Sequence, residues 1–345
     1  MHSSERLLIR ALRREDVPRA PVWLMRQAGR YLPEYRAVRA KAGGFLEMVK
    51  APELAAEVTL QPVRRFGMDA AILFSDILVP LEAMGMPLLF DERGPVLPEP
   101  LREARHVDAL EVVDPAATMG FVGDALRLTR AGLPDETALV GFCGAPFTLA
   151  SYAVEGGTSR NYAHLRRLMY HETALFERLL DKLAEQVARH LDYQAACGAE
   201  ALVLFDTWAA ALTREDYLRH ALPWTRRVFE RCTAAVPRVV FGGAADHLLE
   251  DLAGVGADGV AVDHRTDLAG AFERTGGRLA VQGNLDPGAL FAPPAEVARR
   301  TRALLESVAG RRGHVLNLGH GVMKETDPEA VGAFVRTALE FGGDA

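Results

Sequence analysis

Eight short runs of apolar residues recur along the chain, most of them separated by segments with a helical pattern. Each run is rich in Val, Leu, Ile or Phe and is continuous rather than alternating in polarity. Strands that are buried on both faces show this pattern, and parallel sheets are built of such strands. The predicted strands are Pro21–Met25, Ala70–Ser75, Ala138–Gly144, Ala201–Asp206, Arg238–Gly243, Gly259–Asp263, Arg278–Asn284 and His314–Gly319.

The segments between these runs predict amphipathic helices. In Phe176–Leu191 the apolar residues fall at positions 176, 179, 180, 183, 187 and 191, which is one helical face. Near the C-terminus, Asp327 is typical of an N-cap and Pro328 of a first helical turn. Repeated strand–helix units predict an α/β fold, a single (β/α)8 (TIM) barrel domain over residues 1–345. An open doubly wound sheet is the alternative, but no GxGxxG follows the first strand.

The predicted strands are unevenly spaced. A long segment after the second strand contains Met86–Phe90 and then the Pro-rich stretch Gly94–Pro100. We interpret it as a hairpin or lid inserted in that loop, because long loops without a function are uncommon. The fifth and sixth strands are close in sequence, so the helix between them must be short.

Composition and charge narrow the class of protein. The chain has 345 residues, of which 49% are hydrophobic, so we expect a large core rather than disorder. Its formal charge of −6 does not support nucleic-acid binding. The cysteines at 143, 197 and 232 form no CxxC pair, which predicts neither a disulfide framework nor a zinc ribbon. The N-terminus lacks a secretory apolar run and no segment approaches the length of a membrane span, so we expect a cytoplasmic protein.

Polar side chains follow the predicted strands, at the end of a barrel where active sites lie. They are Arg26, Arg30, Asp76, Tyr152, Asp206, Thr207, Asp263, Asn284 and His320. The two arginines suit a substrate with several carboxylates or phosphates, because a guanidinium pairs with such groups bidentately. If Arg26 opens a helical turn, Arg30 lies four residues on and points the same way.

Several of these side chains also have a purely structural interpretation. Asp76, Asp206 or Thr207 could cap the helix after its strand, which is the commoner role of a lone Asp there. Tyr152 could be a core residue with a satisfied hydroxyl. His320 could lie in a turn, although its two flanking glycines favour close approach of a ligand. Metal binding has weak support, since neither HExxH nor a His/Cys cluster occurs.

Five blocks resemble the uroporphyrinogen decarboxylase family, in order along the whole chain. PVWLMRQAGRYLPEYR at 21–36 is similar to the first motif of that family almost letter for letter. GFCGAPFTLASYAVEGG at 141–157 is similar to the second, with Phe147 where the family usually has Trp. Shorter similar blocks are FSDIL at 74–78, FDTW at 205–208 and NLGHG at 317–321. Thr207 stands where many members have Ser, and TDP at 326–328 replaces a common Thr-Pro-Pro.

The resemblance implies a homodimer of (β/α)8 barrels that needs no metal or organic cofactor. It implies decarboxylation of the four acetate side chains of uroporphyrinogen III, which gives coproporphyrinogen III and four CO2 in porphyrin and haem biosynthesis. Asp76 would stabilise the cation of the protonated pyrrole, while the proton donor stays open among Arg26, His320 and Tyr152. The substrate-binding residues implied by position are Arg26, Gln27, Arg30, Asp76, Tyr152, Thr207 and His320.

Two rival functions remain open. Zinc-dependent corrinoid methyltransferases share this barrel, and they hold the metal with His and Cys after a middle strand. The fifth predicted strand runs into FGGAAD at 241–246, which contains no such pair. The second rival is a non-catalytic tetrapyrrole-binding paralogue, against which intact Asp76, Arg26, Arg30 and His320 argue.

Overall fold

The computed structural model describes residues 6–91 and 94–341. In chain order the strands are β1 Ala70–Ile72, β2 Leu89–Asp91, β3 Gly94–Val96, β4 Ala138–Gly144, β5 Ala201–Asp206, β6 Arg238–Gly242, β7 Gly259–Ala261, β8 Ala280–Leu285 and β9 His314–Leu318. Seven of them form one parallel sheet in the order β1-β4-β5-β6-β7-β8-β9. This is the α/β arrangement that the continuous apolar runs predicted, and seven of the eight predicted strands are confirmed, two with the predicted ends and five with shifted ends.

The first predicted strand, Pro21–Met25, is wrong as a strand. Only Val22 forms a parallel β-bridge, with Leu316 of β9. Leu316 N–H donates to the Pro21 carbonyl at 2.9 Å, and on the other side Asp69 N–H donates to the Val22 carbonyl at 2.9 Å. The segment therefore lies between the two outermost strands of the sheet but shares few backbone bonds with either.

Side-chain oxygens accept hydrogen bonds from backbone N–H groups that would otherwise pair this segment with a neighbouring strand. Leu24 N–H donates to Gln27 Oε1, and Met25 N–H donates to Asn317 Oδ1, both at 3.1 Å. A backbone donor that is satisfied by a side chain is not available to a neighbouring strand. These contacts explain why an apolar run of this composition does not form a regular strand.

Helices fill the connections between the strands. The helix between β6 and β7 is short, as predicted, and three 3₁₀ turns lie at Ala209–Ala211, Asp246–Leu248 and Pro287–Phe291. The α-helices are α1 Leu7–Leu12, α2 Pro33–Ala42, α3 Phe45–Lys50, α4 Pro52–Phe66, α5 Val79–Ala83, α6 Ala104–Ala109, α7 Pro115–Thr118, α8 Gly120–Gly132, α9 Pro146–Glu155, α10 Ala163–His171, α11 Thr173–Ala196, α12 Arg214–His220, α13 Leu222–Arg231, α14 Leu249–Leu252, α15 Leu268–Arg274, α16 Pro294–Ser307 and α17 Pro328–Glu340.

The apolar core is divided into two clusters by the sheet. The larger cluster packs the helices against one face of the strands. The smaller cluster contains side chains from the other face of all seven strands of the parallel sheet. Helix α1 packs against it through Leu8, Ile9 and Leu12. This helix lies near the start of the strands, since Arg6 at its N-terminus pairs with Glu200, the residue before β5.

A β-hairpin formed by β2 and β3 is inserted between β1 and β4, where the sequence predicted one. It is fastened to the end of α9, because Leu97 N–H donates to the Gly156 carbonyl at 3.0 Å and Val96 bridges to Gly157. Gly156 has φ +84°, and a Cβ on Gly157 would lie 3.0 Å from the Pro95 carbonyl. Glycine is therefore required for the hairpin to approach this closely.

Candidate active site

Three phenylalanines form an apolar floor at the carboxyl end of the sheet. Phe142, Phe205 and Phe241 belong to three neighbouring strands, and their ring centroids are 5.8 Å apart in each neighbouring pair. The ring of Phe241 lies 6.4 Å from that of His320. Phe142 and Phe205 are only half-buried, unlike the closed layers beneath them. An apolar ligand body can rest on this surface.

Arg26 lies in a tight turn rather than at the start of a helix. Its φ is +59°, in the left-handed region, and the next helix begins only at Pro33. The condition under which Arg26 and Arg30 would share a helical face is therefore not met. Both arginines are exposed, and among the described residues neither forms a salt bridge. Their charges are available to an anionic ligand.

Gln27 holds the Arg26 turn from below. Its side chain is fully buried, its Oε1 accepts from Leu24 N–H, and its Nε2 donates to the Ala70 carbonyl at 3.1 Å. Tyr31 donates its hydroxyl proton to the Gln27 carbonyl at 2.8 Å. We call the region between Arg26, Asp76, His320 and the phenylalanine floor the cleft. The sequence grouped Gln27 with the substrate contacts, but the structure places it beneath the cleft, where its amide fixes the turn to β1.

Two glycines allow His320 to lie beside Arg26. A Cβ on Gly321 would come within 2.4 Å of Arg26 Cδ, so the arginine side chain crosses directly over this glycine. A Cβ on Gly319 would meet the backbone nitrogen of His264 at 2.1 Å. The glycines therefore let the strand end pass between the Arg26 side chain and the loop after β7.

Burial and charge shift two titratable groups at the site in opposite directions. Burial, with smaller contributions from Arg26 and His264, lowers the pKa of His320 to about 4, so its imidazole is neutral at pH 7. Burial raises the pKa of Asp76 to about 6. Two groups oppose this rise: the Leu78 N–H, which donates to Asp76 Oδ1 at 2.9 Å, and the positive charge of Arg26. Asp76 is thus mainly ionised at pH 7 but near its titration range.

Tyr152 lies next to Asp76 on the wall of the cleft. Burial and the Asp76 charge raise the pKa of Tyr152 to about 12, while a hydrogen bond with Trp208 acts in the other direction. The ring centroid of Trp208 is 5.9 Å from that of Tyr152 and 5.9 Å from that of Tyr162. The phenol is therefore protonated at neutral pH and is held by an aromatic neighbour.

At the end of β5, the neighbouring residues Asp206 and Thr207 differ in exposure. Thr207 is half-buried, and a Cβ on Gly243 would lie 2.6 Å from the Thr207 carbonyl, so the β6 end packs tightly against it. Asp206 is fully buried and accepts hydrogen bonds from Thr148 at 2.8 Å and from Tyr217 at 2.7 Å. Asp206 thus supports the site without facing it.

Asn284 also turns away from the cleft. Its amide donates to the carbonyls of Asp263 and Thr266, each at 2.8 Å, and fixes the loop after β7. The sequence analysis missed Trp208 and the pair Phe142 and Phe205. Phe205 stands one residue before Asp206 and Phe142 two residues before Gly144, each near the end of its predicted strand, and the inward register of a buried strand could have identified them.

No group of three or more His, Cys, Asp and Glu side chains that could hold a metal ion occurs within residues 6–91 and 94–341. In the same residues no helix is both long enough and apolar enough to cross a membrane.

The fold and the site define an α/β protein with two exposed arginines at the carboxyl ends of a parallel sheet. The family model described as uroporphyrinogen decarboxylase (URO-D) matches residues 3–341. The chain belongs to the uroporphyrinogen decarboxylase family.

Curated relatives match nearly the whole chain. A uroporphyrinogen decarboxylase from Methylococcus capsulatus is 47% identical, with 96% of this chain and 97% of the relative covered. Another from Chloroflexus aggregans is 48% identical and covers 96% and 94%, respectively. Among solved structures, a methyltransferase from Methanosarcina mazei matches 97% of both chains with a TM-score of 0.82. At 22% identity that likeness shows a shared fold only.

Proposed function

We propose that the protein catalyses the decarboxylation of the four acetate side chains of uroporphyrinogen III, giving coproporphyrinogen III and four CO2. Family membership supports this reaction. The observation that carries it is the arrangement of charges at the site: the Asp76 carboxylate, whose pKa is raised by burial, lies near the Arg26 guanidinium, which forms no salt bridge with any described residue, and both lie at the end of the sheet that carries the aromatic floor.

Loss of CO2 leaves an electron pair that needs an acceptor, and the substrate's pyrrole can serve. A proton adds to the ring carbon that bears the acetate, which gives an iminium-like cation. The C–C bond to the carboxylate then breaks, its electrons neutralise the cation, and CO2 leaves an exocyclic methylene. A second proton converts the methylene to methyl, and the ring carbon gives its added proton back to the donor or to water, which restores the neutral pyrrole. Asp76 stabilises the cation when its carboxylate faces the pyrrole N–H groups.

The other side chains divide binding from proton transfer. Arg26 and Arg30 receive the substrate's carboxylates, and Thr207 offers a neutral hydroxyl contact. His320 is neutral at pH 7, because its pKa is lowered to about 4, and a neutral imidazole suits hydrogen bonding better than acid catalysis. Tyr152 is fully protonated at that pH, so its hydroxyl is the better candidate to donate a proton.

We infer that the barrel is closed by Pro21–Met25, which would stand as its eighth member in a single domain. The backbone bonds of this segment to β9 on one side and to Asp69 on the other support closure.

We also infer that the β2–β3 hairpin acts as a lid, since it is attached to the helix that carries Tyr152. Cross-linking the hairpin to α3 through engineered cysteines is expected to slow substrate entry.

The resemblance to the family supports a homodimer in the cytoplasm, and analytical ultracentrifugation tests the oligomeric state. The reaction itself is tested by incubating chelator-treated protein with uroporphyrinogen III without oxygen, followed by oxidation and chromatography. Stepwise appearance of porphyrins with seven, six, five and four carboxylates supports the proposal. Absence of products, under conditions in which a known decarboxylase works, would contradict it and turn attention to methyl transfer or tetrapyrrole carriage.

A further inference from the structure

Behind the wall of the cleft, a hydrogen-bonded trio joins three separate elements. Thr148 of α9 donates its hydroxyl proton to Asp206 Oδ1 at 2.8 Å, and Tyr217 of α12 donates to Asp206 Oδ2 at 2.7 Å. All three side chains are fully buried, so none of them can touch a ligand. A buried carboxylate needs such donors, because an unpaired one is costly.

Thr148 has a second contact that Tyr217 lacks. Its oxygen accepts the backbone N–H of Trp208 at 3.2 Å, so one hydroxyl connects the end of β5 with the turn that follows it. A hydroxyl can do both, since it has one proton and two lone pairs. The Trp208 turn is thereby fixed to helix α9.

The turn that Thr148 fixes carries Trp208, which contacts Tyr152 on the wall of the cleft. The Trp208 indole packs 5.9 Å from the Tyr152 ring, with its N–H close enough to the Tyr152 hydroxyl to influence it. Tyr152 lies on α9, four residues after Thr148, so both stand on the same side of that helix. Thr148, Trp208 and Tyr152 therefore form a closed loop of contacts. When the indole N–H donates to the phenol oxygen, the phenol proton is left free to point into the cleft.

We propose that Thr148 is a positioning residue for the decarboxylation: its hydroxyl holds the Trp208 turn so that the indole orients the Tyr152 hydroxyl towards the substrate. This inference rests on the proposed function, because it assigns the oriented hydroxyl to that reaction. It goes further by giving Trp208 a role in orientation and by separating Thr148 from Tyr217, whose hydroxyl bonds Asp206 but not the Trp208 turn.

The test compares two hydroxyl deletions that remove the same kind of bond to Asp206. Thr148→Val is close to isosteric and frees both Asp206 and the Trp208 N–H, whereas Tyr217→Phe frees Asp206 and leaves the bond between Thr148 and the Trp208 N–H in place. Loss of one orienting hydrogen bond is expected to lower kcat about tenfold in Thr148→Val with little change in KM. Tyr217→Phe is expected to keep kcat within about twofold, and Thr148→Ser to restore it. Thermal unfolding of each variant measures the separate effect on stability.

A double-mutant cycle shows whether Thr148 acts through Tyr152. In a Tyr152→Phe background, Thr148→Val is expected to cause no further loss of kcat. A full tenfold loss in that background, or equal losses in Thr148→Val and Tyr217→Phe, would overturn the proposal. If Thr148→Val does not fold, Trp208→Phe keeps an aromatic ring, removes the indole N–H and takes its place in the cycle.

The same assay separates the two levels of inference. If the wild-type protein forms coproporphyrinogen III while Thr148→Val is as fast as wild type, only the positioning role fails. If the wild-type protein forms no decarboxylated product, the proposed function fails and the positioning role fails with it.

Discussion

Replacing Asp76 by asparagine removes the charge on which the proposed mechanism depends and keeps the shape of the side chain. The Leu78 N–H donated to Asp76 Oδ1 at 2.9 Å can be kept by an amide oxygen. Burial raises the pKa of the wild-type carboxyl from 3.8 to about 6, so its charged form is destabilised by folding. That rise corresponds to on the order of 2 to 3 kcal/mol, and we expect Asp76→Asn to be at least as stable as wild type at pH 7.

The expected loss of activity follows from the charge that develops on the pyrrole. Opposite charges 4 Å apart attract by about 4 kcal/mol at an effective dielectric of ~20, which limits the effect to roughly 10³-fold in rate. Only attraction that is stronger in the transition state than in the ground state accelerates the reaction. If about two thirds of the attraction is of this kind, kcat of Asp76→Asn falls about 10²-fold.

Anaerobic initial rates and thermal unfolding measure these two effects separately. Asp327→Asn is a matched control. Like Asp76, Asp327 accepts a hydrogen bond from the backbone N–H of the second residue after it, here Glu329 at 2.9 Å, but it lies at the start of α17. We expect the control to keep wild-type kcat. Near-normal turnover of Asp76→Asn would refute a role for its charge, and a loss of activity accompanied by a clear loss of stability would show that Asp76 acts on the fold.

Further predictions concern the same cleft. Gly321→Ala is expected to displace the Arg26 side chain, because the new Cβ would lie 2.4 Å from Cδ, and to lower kcat/KM by about tenfold or more while the melting temperature changes little. Thr207→Val is expected to lower kcat/KM by less than about tenfold, since a neutral contact is worth about 1 kcal/mol; a much larger loss would give Thr207 another role. As pH falls through about 6, Asp76 becomes protonated, so kcat/KM should fall, and Asp76→Asn should lose this dependence. The same raised pKa makes the Asp76 contribution to stability decrease as pH rises from about 4 to 6, which unfolding measured across that range checks.

Much of the fold follows from local sequence pattern, because strands buried on both faces require continuous apolar residues. The segment Pro21–Met25 has that pattern and yet is not a regular strand. Its N–H groups are taken by side chains, including Gln27 Oε1 and Asn317 Oδ1. Asn317 is distant in sequence, so no local pattern shows this competition.

The site was only partly predictable for a related reason. Position at a strand end identified Arg26, Asp76 and His320, which the structure brings to the same end of the sheet. It could not show that the Asp206 side chain faces the helices, where it accepts from Thr148 and Tyr217, since that orientation depends on two helices packed behind the strand.

The central claim is that the Asp76 carboxylate faces the pyrrole nitrogens of the bound tetrapyrrole. A crystal structure of the protein with coproporphyrinogen III, prepared without oxygen, measures this directly. We predict an oxygen of Asp76 about 2.7 to 3.2 Å from one or more pyrrole nitrogens, with the propionates towards Arg26 and Arg30. A tetrapyrrole bound outside this cleft, or bound in it with Asp76 beyond hydrogen-bond reach, would contradict the account.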